Sequence, residues 1–223
     1  MCGIIGYVGD KACDQILLEG LERLEYRGYD SAGISLLNPA SHELQTIRSV
    51  GNLAKLREAF GDDDYTATTG VGHTRWATHG RPSERNAHPI SDPTGKITVV
   101  LNGIIENYVQ LRDELTAEGF NFKTETDAEV VPFLVERAYQ GDLIEAVRAA
   151  YHQLDGNFAI VVIHTDHPDT LIGARRQAPL VIGVGNGETY IASAISAFLK
   201  WTKEIQLIED GEIVVVTPAG ARF

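Results

Sequence analysis

Cysteine is scarce in this sequence, two residues in 223. Two cysteines do not make a disulfide framework in a chain of this length. No stretch reaches the roughly 18 to 20 consecutive apolar residues that a bilayer span needs, and no basic segment followed by a long apolar core marks a secretory signal. These absences point to a cytoplasmic protein without a membrane partner. Lysine and arginine form no run, so there is no electrostatic footprint for nucleic acid or an anionic membrane. The net charge is −12, with the acidic residues dispersed except at Asp62-Asp63-Asp64, which argues against a large polyanionic ligand. Glycine-rich Gly183 to Gly187 matches neither a phosphate loop nor a dinucleotide fingerprint and reads as a hairpin turn, so no cofactor is expected. Repeats, low-complexity segments and linkers are lacking too, and one domain over residues 1–223 is the economical reading.

What is present begins at Met1-Cys2-Gly3-Ile4-Ile5-Gly6. A cysteine behind the initiator methionine becomes the first residue once that methionine is trimmed. It then carries a thiol and a free α-amine, whose ordinary pKa values of ~8.5 and ~7.7–8.0 nearly balance proton transfer between them. That pairing is the one used by N-terminal nucleophiles. By position alone, a core cysteine in an N-terminal strand is the favoured reading.

Apolar periodicity lays out the rest. A helix capped by Asp10 is expected to Leu24, with Leu17, Leu21 and Leu24 on one face. Strands are expected at Gly33–Leu37 and Glu43–Val50, a short helix from Asn52 to Phe60, and a strand from Thr69 into Arg75. An irregular stretch, 77–95, is rich in Pro, His, Ser and Asn; loops of that length in compact domains tend to be functional. Lys96–Leu101 reads as a strand ending at Asn102-Gly103, followed at once by a helix through Ile104, Tyr108, Leu111 and Leu115. Phe120–Lys123 reads as a short strand, and helices follow from Thr126-Asp127 and over Leu143–Leu154. From Phe158 onward the texture is strands: Phe158–Ile163, Leu171–Ala174, Leu180–Val184, Thr189–Ala192, Ile205–Ile208 and Glu212–Val216. Short connections between successive strands mean antiparallel pairing, and helices grouped between runs of strands mean an α+β layered domain.

Several side chains carry chemistry. Arg75, at a strand end beside Trp76, has the fork geometry for a small carboxylate, or it packs on the Trp face. Asn102-Gly103 places a side-chain amide and a backbone N–H where an oxyanion could be met, although the dipeptide is also a common turn. Asp127 is a cap by default and an ammonium partner otherwise. His73, His79 and His88 fit no familiar zinc spacing, and loop-ordering hydrogen bonds explain them better than a metal does. Together these groups suit one substrate, an α-amino acid with a side-chain amide.

At these residues the chain resembles the class II (N-terminal nucleophile) glutamine amidotransferases. Within them it is most similar to the glutaminase domain of the glutamine–fructose-6-phosphate aminotransferases. The matching text is Met1-Cys2-Gly3-Ile4-Ile5-Gly6, the run from Leu24 through Tyr26-Arg27-Gly28-Tyr29-Asp30-Ser31 to Gly33, and His73-Thr74-Arg75-Trp76-Ala77-Thr78-His79-Gly80. It continues at Asn86-Ala87-His88-Pro89, Asn102-Gly103-Ile104-Ile105-Glu106-Asn107 and Glu125-Thr126-Asp127. The resemblance implies a four-layer αββα sandwich of two mainly antiparallel sheets. It implies Cys2 as nucleophile on L-glutamine, and Asn102 with the Gly103 N–H as oxyanion hole. Arg75 would take the α-carboxylate and Asp127 the α-ammonium, with Thr78 and His79 shaping the loop, Trp76 closing over it, and Arg27 and Gly28 lining the site. It further implies sugar-isomerase domains or a subunit that receive the ammonia at a fructose 6-phosphate site, and a homo-oligomer.

Three departures qualify it. Leu101 stands where that branch often has histidine, which should alter packing more than chemistry. Ala194 follows Ser193 where an acidic residue is usual. The isomerase domains do not follow Phe223, so an excised domain or a stand-alone glutaminase is expected. Two other readings stay open: a non-catalytic glutamine-binding regulatory module, and the glutaminase domain of another class II amidotransferase.

Overall fold

A computed structural model describes residues 2–61 and 65–223; Met1 and the Asp62-Asp63-Asp64 run lie outside the described residues. The chain forms β1 (Gly3–Val8), α1 (Asp14–Glu22), β2 (Ser31–Leu37), β3 (Leu44–Val50), α2 (Leu53–Phe60), β4 (Thr69–Arg75), β5 (Ile90–Ser91) and β6 (Ile97–Gly103). It continues through α3 (Tyr108–Ala117), α4 (Val130–Ala138), α5 (Leu143–Tyr151), β7 (Phe158–His164), β8 (Leu171–Arg176), β9 (Val181–Val184) and β10 (Thr189–Ala192), and closes with β11 (Glu204–Leu207), β12 (Ile213–Thr217) and β13 (Gly220–Arg222). No helix among the described residues is long and apolar enough to cross a membrane.

Two sheets result. One has seven strands in the order β11-β9-β10-β1-β4-β2-β3, the other six in the order β13-β12-β8-β7-β6-β5. The ladders between named strands are antiparallel. Three buried apolar layers separate four layers of structure. Ile4, Val8, Val71, Val100, Val161 and Ile191 fill the space between the sheets. Ile5 and Tyr7 face α1 and α2 with Leu17, Leu21 and Leu56. Leu101, Ile160 and Val162 face α3, α4 and α5 with Leu111, Phe133 and Val147. Neighbouring residues on β1 and β6 thus enter different layers, as the period of two of a strand requires. The αββα sandwich is the fold found.

Four local expectations are corrected. Asp10 does not cap α1: the helix starts after Cys13, because the Gly9 and Cys13 N–H groups are still held by Thr68 and Ala67 carbonyls. No helix follows Gly103 at once; Ile104 and Glu106 donate to Asn157 and Asp155 carbonyls, and α3 begins only at Tyr108. Phe120–Lys123 is not a strand. Phe120 and Phe122 both pack on Phe133, and the Lys123 and Thr124 N–H groups go to the Glu129 carboxylate, so no ladder is available. Asp127 is not the cap of its 3-10 turn, a position held by Thr126. The small strands β5 and β13 lie where sequence periodicity predicts none.

Candidate active site

The site lies where β1, β4 and β6 end at one mouth of the inter-sheet layer. Pairing of β1 with β4 sets Gly3 opposite Thr74 and Ile4 opposite His73. Ile4, Val71 and Val100 face between the sheets, so alternation turns Cys2, His73, Arg75 and Asn102 the same way. Residues separated by up to a hundred positions meet because three strands terminate together.

The Trp76 N–H donates to Cys2 Sγ at 3.3 Å, and Sγ lies 3.5 Å from the Trp76 carbonyl. Burial pushes the thiol above its ordinary value, while the Trp76 N–H and the Arg75 guanidinium pull the other way. Asn102 Nδ2 donates to the Cys2 carbonyl at 3.0 Å. Next to it Gly103 holds φ +99°, and a Cβ there would stand 2.0 Å from the Asn157 carbonyl oxygen, so only glycine fits.

Arg75 is buried, and its Nη2 donates to the His79 and Gly80 carbonyls, fixing the start of the loop. Its Nη1 is buried without a protein partner. Burial lowers the Arg75 pKa, an effect opposed by Asp30, Cys2 and Asp127. The Asp127 carboxylate accepts the Ile105 N–H at 2.8 Å and lies 3.7 Å from His79 Nδ1. Burial raises its pKa against these contacts. A narrow cavity of about 10 Å³ is lined by Cys2, Arg75, Trp76, Thr78, Gly103 and Asp127, together with His73, His88, Leu101 and Thr126. A larger cleft of about 560 Å³ beside His42, Gln45, Thr94 and Lys96 holds no cysteine.

The remaining predicted residues surround that cavity. Trp76 is half exposed and meets the Tyr29 ring edge-on at 5.5 Å. Thr78 is exposed, and His79 packs edge-on against Tyr108. Gly28 lies directly under the site: a Cβ there would be 2.6 Å from the Arg75 carbonyl carbon and 2.9 Å from the Trp76 nitrogen. The Arg27 guanidinium instead stays with Tyr26, over its ring at 5.7 Å. Leu101 is buried in the helix-side layer. Ser193 Oγ takes the Ile4 N–H, while Ala194 begins a 3-10 turn with no side-chain cap.

Sequence reasoning undervalued three residues. His73, on β4, and His88, in the irregular stretch, both bond to Leu101 on β6, so His88 ties that stretch to the strand, and their rings stack at 4.4 Å. Asp30 accepts the Ala77 N–H and so ties the segment after Arg27-Gly28 to the loop. Their signal was position alone: His73 follows the inward alternation of β4, and Asp30 sits beside the Tyr-Arg-Gly-Tyr run. No cluster of three His, Cys, Asp or Glu side chains placed to hold a metal occurs among the described residues.

Residues 73–200 match the family described as a glutamine amidotransferase domain. The glutamine–fructose-6-phosphate aminotransferase (isomerizing) of Caldanaerobacter subterraneus is 49% identical over all of this chain, which spans 36% of that protein. Its counterpart from Thermosynechococcus vestitus is 52% identical over 99% of this chain and 36% of its own length. The chain therefore spans about a third of these curated relatives. A solved structure described as the allosteric regulatory enzyme of purine biosynthesis superposes with a TM-score of 0.87 at 25% identity, over 99% of this chain and 48% of its own. Glutamine phosphoribosylpyrophosphate amidotransferase from B. subtilis gives 0.84 at 24%, with the same coverage, and so shares the fold. On the match of more than half its length, this chain belongs to the glutamine amidotransferase family.

Proposed function

We propose that this chain hydrolyses the side-chain amide of L-glutamine, with Cys2 as nucleophile once Met1 has been removed. The observation that carries it is the Cys2 sulfur held by the Trp76 N–H at 3.3 Å while Asn102 reaches the same residue, in one cavity with Arg75 and Asp127. Sulfur attacks the amide carbon and the Cys2 amine takes up the thiol proton. The oxyanion meets the Asn102 Nδ2–H and the Gly103 N–H. The amine's proton goes to the leaving nitrogen, ammonia departs, and water cleaves the thioester to glutamate. The unpartnered Arg75 Nη1 receives the α-carboxylate, and Asp127 the α-ammonium.

The names of the relatives support a finer reading: residues 1–223 are one glutaminase domain that supplies ammonia to a sugar-isomerase part carrying a fructose 6-phosphate site. That part corresponds to the length of the relatives beyond this chain, and self-association belongs to the same proposal. Two free cysteines and a thiol nucleophile suit a reducing compartment, the cytoplasm.

An electrophilic glutamine analogue should label the processed protein once, at Cys2; labelling at Cys13, or none on protein shown by mass to lack Met1, would sink the mechanism. Asn102→Ala should lower kcat on the order of 10²–10³-fold with KM little changed. Equal changes in both would remove Asn102 from the oxyanion role.

A further inference from the structure

Leu101 is the residue of β6 just before Asn102, and its two backbone groups are met by side chains. Its N–H donates to His88 Nδ1 at 3.2 Å, and its carbonyl accepts from His73 Nε2 at 3.0 Å. Both groups therefore point away from β7, although Leu101 stands opposite Ile160 in that ladder. On the other side of β6, β5 ends with Ile90 opposite Val99. Beyond that point the two imidazoles take the place of an edge strand.

These contacts assign the protons. A backbone N–H facing His88 Nδ1 makes that nitrogen the acceptor, so His88 is protonated on Nε2. His73 Nε2 faces two oxygens, the Leu101 carbonyl and Asn102 Oδ1 at 3.1 Å, and must carry the hydrogen. His73 Nδ1 is buried with no partner, so a second proton would have nowhere to go. Burial accordingly holds both rings below their ordinary value, His73 down to about 3. The consequence falls on Asn102. With Oδ1 held by His73, Nδ2 is turned to the Cys2 carbonyl. The NH2 group has a second hydrogen to give on that side. An amide rotated by half a turn would set Oδ1 against the Cys2 carbonyl and present no donor.

We propose that His73 is a positioning residue: through Nε2–H, with its ring braced by stacked His88, it orients the Asn102 amide so that the donor end faces the nucleophile. The inference deepens the glutaminase reading and rests on it. In steady-state glutamine hydrolysis, His73→Phe keeps a ring but loses the donor. It is expected to lower kcat by about tenfold or more, with KM within about twofold of the parent. His73→Gln, whose amide can donate in place of Nε2–H, should recover most of that loss. Because His73 acts through Asn102, adding His73→Phe to Asn102→Ala should cost nothing further. An unchanged kcat in His73→Phe, losses that multiply in the double variant, or a folded His73→Gln as slow as His73→Phe would each overturn the proposal. Nitrogen-15 NMR of the unaltered protein at neutral pH decides it without any variant: a bare Nδ1 and protonated Nε2 on His73 are expected, and the opposite tautomer overturns it. If the processed protein does not hydrolyse glutamine, the glutaminase reading fails, while the tautomer still decides whether His73 orients Asn102.

Discussion

Asp127 shows how one side chain can serve the fold and a ligand through different atoms. Oδ2 takes the Ile105 N–H, and Oδ1 is left toward His79 and the cavity. Asp127→Asn keeps an oxygen for Ile105 but removes the charge. Losing a charge-assisted hydrogen bond costs about 1.5–3 kcal/mol, so KM for glutamine should rise on the order of tenfold or more with kcat less affected. A variant that loses kcat and keeps KM would show that Asp127 does not take the ammonium. Asp127 was legible as a candidate because a carboxylate at a helix start either caps the helix or is free to meet a cation. Which of its two uses it has was not, since that depends on Ile105 reaching it from another segment.

Elements position the site by where they stop. The Leu24–Gly28 turn after α1 carries Gly28 against the backbone of Arg75 and Trp76. Gly28→Ala must displace that backbone, and glutamine turnover should fall together with a lower unfolding midpoint. An alanine variant that keeps both would mean the contact yields freely. At the far side of the second sheet, Asp142 caps α5 by accepting the Ile144 and Glu145 N–H groups. Asp142→Ala should cost about 1 kcal/mol in urea unfolding and leave kcat alone. Strand periodicity located most elements, because half-buried β segments and amphipathic helices bury apolar residues at fixed intervals. It failed at Phe120–Lys123, where alternating aromatics pack on a helix and the backbone is taken by Glu129.

For the molecule as a whole, the buried imidazoles make stability depend on pH. His73 is fully buried between the sheets, facing His88, Asn102 and Arg75, with Arg48 near His88. Unfolded, each histidine takes a proton near pH 6.5; folded, His73 resists down to about 3. As pH falls through that window the unfolded state binds more protons, so stability is present at neutral pH and is lost toward acid. His73 alone accounts for at most about 1.4 kcal/mol per pH unit, or about 2 kcal/mol between pH 7 and pH 5. Urea unfolding at pH 7 and pH 5 should show that loss, and His73→Gln should reduce it. An equal pH slope in the variant would assign the acid sensitivity elsewhere.

By itself the sequence determined the α+β class, most strands and helices, and the residue types of the site. Those depend on local periodicity and on motifs whose spacing is set within a few residues. Only the tertiary structure decided that β1, β4 and β6 end at one point, with Cys2, Arg75 and Asn102 facing inward together. It also decided that His73 of β4 and His88 of the irregular stretch together complete the edge of β6 and turn the Asn102 amide. Strand order and amide orientation arise from contacts between distant segments, and no local pattern encodes those.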